Sequence, residues 1–190
     1  MGGEILYSIY DVGLFGTMIL LLYIIVDFVR NRTRNLVRRV FFYSFIFYML
    51  IVAHLTIEGI VIPPFKDNIL NIQIVPLYFI WDLYNMYQNN GLDWFFLNSL
   101  KLTFFNFIML MPLGVYLAFL FKVKKKTKAF LIIFFVSLVI EIIQFSFTYL
   151  GWIMERGFNV DDIIINTLGG YIAFILCELA KKISLHKHSV

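Results

Sequence analysis

Five long apolar stretches follow one another along the chain, separated by shorter polar segments. They cover approximately residues 5–29, 40–62, 95–121, 129–150 and 161–179. An α-helix needs about 20 mostly apolar residues to cross a bilayer, because the hydrocarbon core is roughly 30 Å thick and each residue rises ~1.5 Å. The pattern therefore predicts five membrane-spanning helices.

A further apolar run, residues 69–81, lies in the connection between the second and third stretches. It is too short to cross a membrane and is typical of an interfacial or re-entrant element. Two interpretations stay open: a loop that lies on the bundle, and a lid over a lipid-facing cavity. We therefore expect an all-α membrane protein, a polytopic bundle of five transmembrane helices with an interfacial or re-entrant outer segment, in a single domain of residues 1–190.

Composition agrees with a membrane protein and excludes some other classes. Hydrophobic residues make up 61% of the chain and the mean hydropathy is +0.85, whereas soluble domains are nearer half apolar. The net charge is +4, but the basic residues lie at helix ends and form no stripe among aromatic residues, so we expect no nucleic-acid partner. Cys177 is the one cysteine, which excludes an intrachain disulfide and a multi-cysteine metal site.

The basic residues form three clusters, which follow the first, third and fifth apolar stretches. These clusters hold 13 of the 16 lysines and arginines: Arg30, Arg32, Arg34, Arg38 and Arg39; Lys122, Lys124, Lys125, Lys126 and Lys128; Lys181, Lys182 and Lys187. Cytoplasmic loops carry an excess of basic residues, and five alternating spans place all three clusters on one side. We therefore expect an extracytoplasmic N-terminus and a cytoplasmic C-terminus.

In this orientation, four helices place polar side chains in the outer half of the membrane. Ionisable side chains inside a span are costly, so they usually face the bundle interior and indicate function. The polar residues are His54 and Glu58 in the second span, Asn98, Lys101 and Asn106 in the third, Glu141 and Gln144 in the fourth, and Asp161, Asp162 and Asn166 in the fifth. The sequence therefore predicts a polar chamber open to the outer surface or the outer leaflet.

Several of these side chains also have purely structural explanations. Asp161 and Asp162 could cap a helix N-terminus, where negative charge is favourable, whereas Glu141 lies in the middle of its span and has no such explanation. Lys101 could form a structural ion pair with Glu141 or Glu58. These alternatives stay open, but the mid-span position of Glu141 favours a functional role.

Two further polar features allow more than one interpretation. His54 and Glu58 are four residues apart and could be two metal ligands, although an interhelical hydrogen bond is the simpler explanation. Arg156 is the arginine of the outer side. It could extend nonspecifically to a lipid phosphate, or bind an anionic group through its planar guanidinium.

Four segments, in order along residues 71–180, resemble the VanZ-like membrane family. The third span contains Asn106, an apolar run and Pro112-Leu-Gly114, and the fourth contains Glu141-Ile-Ile-Gln144. Residues 156–170 resemble the family's most characteristic block, an arginine followed by paired aspartates, an asparagine and glycines, and residues 71–76 resemble the segment before the third span. Asn159 departs from the pattern, because the family commonly has a further aspartate there.

The resemblance implies a bacterial cell-membrane protein that acts on the cell envelope and is associated with resistance to teicoplanin and related lipoglycopeptides. It implies no settled reaction. On this basis residues 1–62 supply two leading transmembrane helices before the part of the chain that resembles the family most.

One hypothesis is an enzyme that carries out phosphoryl or glycosyl transfer or hydrolysis on a lipid headgroup. A carboxyl group partly removed from water suits general acid–base work, and Arg or Lys suits a phosphate. The expected roles are Glu141 as general acid or base, Asp161 and Asp162 as its acidic partners or metal ligands, Arg156 and Lys101 for the phosphate, and Gln144, Asn106 and Asn166 for the headgroup. Mg²⁺ or Mn²⁺ would suit these oxygen ligands if a metal takes part.

The alternative hypothesis is a non-enzymatic binder of a lipid-linked cell-wall precursor or of a lipoglycopeptide's acyl tail. Aromatic residues form 19% of the chain, and the apolar outer segment lies beside the expected chamber. Under either hypothesis the partners are membrane lipids or lipid-linked precursors. A transporter is less favoured, because the polar residues cluster in one half of the membrane and five helices contain no evident inverted repeat.

Overall fold

The computed structural model describes residues 5–57, 59–65, 70–153 and 156–187. Its helices are α1 (Ile9–Asn31), α2 (Leu36–Ile57), α3 (Tyr78–Asn90), α4 (Trp94–Met109), α5 (Met111–Phe119), α6 (Lys126–Tyr149) and α7 (Val160–Lys187). Its strands are β1 (Ile5–Ser8), β2 (Gly59–Ile62), β3 (Ile72–Gln73) and β4 (Phe158–Asn159).

Among the described residues, five helical segments are long and apolar enough to cross a membrane. They are Gly13–Asn31, Leu36–Ile57, Trp94–Phe119, Lys126–Tyr149 and Val160–Ser184. The third segment combines α4 and α5, and the other four lie in α1, α2, α6 and α7. The prediction of an all-α membrane protein with five transmembrane helices is therefore confirmed.

The outer ends of the first two spans differ from the predicted helices. Residues 5–8 and 59–62 form the antiparallel strands β1 and β2, with Ile5 opposite Ile62 and Ser8 opposite Gly59. A short apolar run does not distinguish helix from strand, and here two such runs can satisfy each other's backbone hydrogen bonds. The helix of the first span therefore begins at Ile9, and that of the second ends at Ile57.

The connection between the second and third spans contains a short helix, α3. Its 13 residues are too few to cross a membrane, and none of its side chains is buried. Trp81, Tyr84 and Tyr87 are each more than half exposed. Aromatic side chains of this kind favour the headgroup layer, which suits the expected interfacial element.

The chain divides into two compact units, one within residues 1–71 and 142–157 and the other within 72–141 and 158–190. In the first unit α1 packs against α2. The carboxylate of Asp27 accepts hydrogen bonds from Arg39 Nε (2.5 Å), from Asn31 Nδ2 (2.7 Å) and from the hydroxyl of Tyr43. This cluster pairs the charges at the connected ends of the two helices.

In the second unit, α7 packs closely against α4 and α5. A Cβ atom placed on Gly114 would collide with the carbonyl oxygen of Gly170, and one placed on Gly169 would collide with that of Phe107. Glycine is therefore needed where these backbones meet, as is common where membrane helices approach closely. The core of this contact includes Phe174, which is fully buried.

The third span is interrupted where α7 contacts it. α4 ends at Met109, α5 begins at Met111, and Pro112 lies in the first turn of α5. Proline has no N–H and its ring clashes with the carbonyl one turn earlier, so the helix cannot continue unbroken. Leu110, at the interruption, is fully buried. Irregular backbone within a membrane is tolerated where protein covers it, and α7 covers this break.

Replacing Gly114 with alanine should destabilise the protein by about 1–3 kcal/mol, the usual effect of adding a methyl group to a close-packed contact. Denaturant unfolding of the detergent-solubilised protein, followed by tryptophan fluorescence, would measure this. Gly13→Ala is the matched control, since a Cβ at Gly13 meets no atom within 4 Å. Alanine there should be neutral or stabilising by up to about 1 kcal/mol. Equal stability of the two variants would contradict the close approach of α5 and α7.

Candidate functional site

Four polar residues form a buried stripe along α6, which is otherwise almost entirely apolar. Ser137, Glu141, Gln144 and Thr148 follow one another at intervals of four, three and four residues, which places them on one helical face. Their exposed fractions are 0%, 2%, 9% and 0%. The sequence analysis identified Glu141 and Gln144 but not Ser137 and Thr148. Ser137 lies one turn before Glu141 and Thr148 one turn after Gln144, so the helical spacing of the pair predicts both of them.

Within the second unit, Glu141 is bonded to Asn159, the residue just before α7. Its Oε2 atom accepts a hydrogen bond from the backbone N–H of Asn159, at 3.0 Å. The side-chain oxygen of Asn159 in turn accepts the N–H of Asp161, at 2.9 Å, and so caps α7. The buried carboxyl group therefore lies at a helix N-terminus, where the backbone dipoles favour negative charge.

Asp161 binds the N-terminus of a different helix, α3. One oxygen of its carboxylate accepts the N–H of Leu77 at 2.5 Å, and the other accepts the N–H of Phe79 at 2.8 Å. The side chain is 2% exposed. The structural explanation of Asp161 as a helix cap therefore applies, but the helix it caps is α3 and not its own.

The segment before α3 is attached to the same corner by backbone pairing. β3 and β4 are parallel, with Ile72 opposite Phe158 and Gln73 opposite Asn159. The side-chain amide of Gln73 also lies 3.4 Å from the Asp161 carboxylate. Sequence analysis missed Gln73 and Asn159 as members of the site, because these contacts join segments more than 80 residues apart.

Deeper along α7, buried oxygen atoms are available to a polar ligand. Asn166 is 1% exposed and Thr167 is 5% exposed. Among the described residues, Asn166 Oδ1 and Thr167 Oγ1 accept or donate no hydrogen bond. Leaving a buried polar group without a partner costs about 1–3 kcal/mol, so native proteins retain such groups for a reason. Asp162, one turn before Asn166, is half-buried.

The residues expected on the third span are less enclosed. Lys101 is exposed, and its ammonium group lies 5.4 Å from the centre of the Phe105 ring on the same helix. Asn106 is half-buried. The structure therefore directs Lys101 along the surface of α4, whereas it buries Glu141, Asp161 and Asn166.

The remaining candidates belong to the first unit. Gln144 donates a hydrogen bond from Nε2 to the carbonyl oxygen of Thr56, at 3.2 Å. The backbone N–H of Arg156 donates to the hydroxyl of Thr148, at 3.3 Å, and the Arg156 residue is half-buried. His54 is half-buried on α2, and Glu58 lies outside the described residues.

In the part of the chain that the structure describes, no group of three or more His, Cys, Asp or Glu side chains could hold a metal ion. Both carboxylate oxygens of Asp161 already accept backbone N–H groups. A role for Mg²⁺ or Mn²⁺ stays a prediction, and Asn166 and Thr167 contribute the hard oxygen atoms that such ions prefer.

Comparison with known proteins now decides the family. The family model described as VanZ/LLP1 matches residues 40–181, which is well over half of the 190 residues. The chain belongs to the VanZ/LLP1 family. The match covers α2 to α7, so it begins earlier than the four segments of the sequence analysis. No curated protein and no solved structure matches the chain.

The departure from the VanZ pattern at Asn159 has a structural explanation. Asparagine and aspartate cap helix N-termini about equally well, and Asn159 caps α7 through its side-chain oxygen. Its backbone N–H, which binds Glu141, is independent of the side chain. An asparagine at this position therefore supports the hydrogen bonds of the corner without a carboxylate.

Replacing Asp161 with alanine should release the N-terminus of α3. Both N–H groups that the carboxylate holds, those of Leu77 and Phe79, should then exchange with deuterium about fivefold faster or more, since a lost cap costs about 1 kcal/mol or more. Hydrogen–deuterium exchange measured by mass spectrometry on the detergent-solubilised protein would show this.

Asp93→Ala is the matched control for the Asp161 variant. Asp93 caps α4, because its carboxylate accepts the N–H of Phe96 at 2.7 Å. Its removal should speed exchange at the start of α4 and leave the start of α3 unchanged. If Asp161→Ala left exchange at Leu77 and Phe79 as slow as in the wild type, the capping role would be wrong.

Proposed function

We propose that this VanZ/LLP1 family protein acts on the cell envelope by modifying the headgroup of a membrane lipid or a lipid-linked cell-wall precursor, in the outer-leaflet half of the membrane. The observation that carries the proposal is the burial of Glu141, 2% exposed, in the middle of an apolar spanning helix and beside the N-terminus of α7. The family resemblance adds an association with tolerance of teicoplanin and related lipoglycopeptides.

The hydrogen bond of Glu141 to Asn159 does not by itself require a carboxyl group. The amide oxygen of a glutamine could accept the same N–H, without bringing an ionisable group into a membrane span. Ionisable groups there are expensive and are retained for function. We therefore assign Glu141 to proton transfer, as the group that takes a proton from an attacking hydroxyl or gives one to a leaving oxygen.

The other residues of the second unit have supporting roles in this proposal. Asn166 presents a buried oxygen with which a headgroup hydroxyl can bond, and Asn106 and Asp162 are half-buried polar groups of the same unit. Lys101 can attract a phosphate from the surface of α4. The expected roles of Gln144 in orienting a headgroup and of Arg156 in binding a phosphate remain predictions.

Glu141→Gln should abolish the function while preserving the hydrogen bond to Asn159. A sensitive Gram-positive host would carry empty vector, wild type, Glu141→Gln or Asp93→Asn, at matched membrane expression. Relative to the empty vector, the wild type and Asp93→Asn should raise the tolerance of teicoplanin more than that of vancomycin, and should alter the membrane lipid profile. Glu141→Gln should match the empty vector in both measurements. Asp93→Asn is a suitable control, because it removes one carboxylate but asparagine still caps α4.

The aromatic surface around α3 favours a second candidate, a binder that performs no chemistry. Trp81 and Trp94 are 57% and 68% exposed and could hold an acyl chain. In that case Glu141→Gln would keep teicoplanin tolerance and retention of labelled lipid, whereas Trp81→Ala and Trp94→Ala would lose both. That outcome would replace the enzymatic proposal.

We also propose that the N-terminus is extracytoplasmic and the C-terminus cytoplasmic. The support is the position of 13 of the 16 basic residues, which lie in and next to the α1–α2 connection, in and next to the α5–α6 connection, and near the end of α7. The connection between α3 and α4 carries no lysine or arginine. Positively charged loops stay on the cytoplasmic side.

Labelling of single cysteines would test this orientation. In a Cys177→Ala background, Leu92→Cys places a thiol between α3 and α4, and Thr33→Cys places one between α1 and α2. A membrane-impermeant maleimide should label Leu92→Cys in intact cells, and Thr33→Cys only after the membrane is opened. The reverse pattern would show that the orientation is inverted.

A further inference from the structure

A cleft lies in the second unit between the C-terminal end of α5 and the last turns of α7. The opposite end of α7 follows Asn159, the residue that binds Glu141. Its lining includes Phe119, Lys122, Val123, Lys124, Glu178 and Lys181. Its volume of about 410 Å³ is in the range of small-molecule sites. None of these residues belongs to the proposed headgroup chemistry.

The charges of the cleft favour an anion. Glu178 is paired with Lys181, with 2.7 Å between Oε1 and Nζ. Lys122 and Lys124 are exposed and add two positive charges. A helix C-terminus normally repels anions, because its carbonyl groups carry partial negative charge. Here the ammonium of Lys181 donates to the carbonyl oxygen of Ala118 at 2.5 Å, which offsets that repulsion at the end of α5.

Lys181 is held in one position by three contacts. Its ammonium bonds to Ala118 and Glu178 and lies 4.7 Å from the centre of the Phe119 ring. A lysine has three N–H donors, and among the described residues two of them are used. The third donor is available to a ligand in the cleft.

Lys122 has an unusual backbone conformation for a lysine. Its φ is +50°, in the left-handed region that glycine and asparagine adopt more readily. The chain reverses there, and the N–H of Val123 returns to the carbonyl of Leu117 at 2.9 Å. Lys122 therefore presents an exposed side chain to the cleft at the point where the chain reverses.

We propose that this cleft binds the phosphate of an anionic phospholipid, with Lys122, Lys124 and Lys181 as its partners. The cleft lies where the spans Trp94–Phe119 and Val160–Ser184 end, which is the depth of the lipid headgroups. Phe119 and Phe121 are 43% and 49% exposed, so acyl chains have an apolar surface beside the basic groups. Basic pockets between membrane helices bind anionic headgroups in this way. The site is independent of the proposed function at Glu141.

The test uses the full-length protein in nanodiscs of phosphatidylcholine, with or without phosphatidylglycerol. Native mass spectrometry of the released protein counts retained phosphatidylglycerol, and thermal unfolding measures its stabilising effect. The variants are Lys122→Gly and Lys124→Gln. Lys128→Gln is the matched control, an exposed lysine on α6 that does not line the cleft. Glycine suits the backbone at 122, so weaker lipid binding by Lys122→Gly cannot be attributed to misfolding.

The wild type should retain phosphatidylglycerol and unfold at a higher temperature in its presence. Each cleft variant should bind it about fivefold more weakly, the effect of one basic residue at an anionic membrane surface, and Lys128→Gln should bind as the wild type does. Equal losses in all three variants would mean diffuse surface attraction and overturn the site, as would unchanged binding by both cleft variants. If glycerol phosphate added to phosphatidylcholine nanodiscs stabilised the protein equally well, the ligand would be a soluble phosphate and the lipid assignment would be wrong.

Discussion

The hydrogen bond between Glu141 and the backbone N–H of Asn159 constrains the second unit more than any other contact of the candidate site. It joins the middle of one spanning helix to the residue just before another, and the side chain of Glu141 is only 2% exposed. Because Asn159 also caps α7 and pairs with Gln73 of β3, a single residue connects α6, α7 and the segment before α3. The carboxylates of both Glu141 and Asp161 therefore accept backbone N–H groups.

This corner can exist only if α7 follows a defined path. The glycines of α7 allow its backbone to contact the interruption between α4 and α5, where larger residues would hold the helices apart. That interruption, caused by Pro112, exposes backbone groups that lipid could not satisfy, and α7 covers them. The motif residues Gly114, Gly169 and Gly170 thus serve packing, and packing places Asn166 and Asp161 in a protein interior.

Hydropathy alone was enough to predict the five spans, because the length and apolarity of a membrane helix are set by the bilayer and not by its neighbours. The mid-span position of Glu141 was likewise enough to indicate that its side chain faces the protein interior, where it is 2% exposed. The β1–β2 pairing and the binding of α3 by Asp161 could not be predicted in the same way. Both join segments more than 50 residues apart, and no local pattern encodes such contacts. The surface position of Lys101 is a third case, because a long charged side chain in an apolar span can extend along the helix surface as well as into the interior.

Glu141 and Asp161 both have buried carboxylates, but these carboxylates accept hydrogen bonds from different parts of the backbone. Asp161 uses its two oxygens on two backbone N–H groups of α3, a pattern that an amide side chain cannot reproduce, since only one of its two terminal atoms is an acceptor. Its charge is explained by that geometry. The bond from Asn159 to Glu141 needs one acceptor, which an amide would supply equally well. We therefore propose proton transfer for Glu141 alone, whereas Asp161 holds the N-terminus of α3.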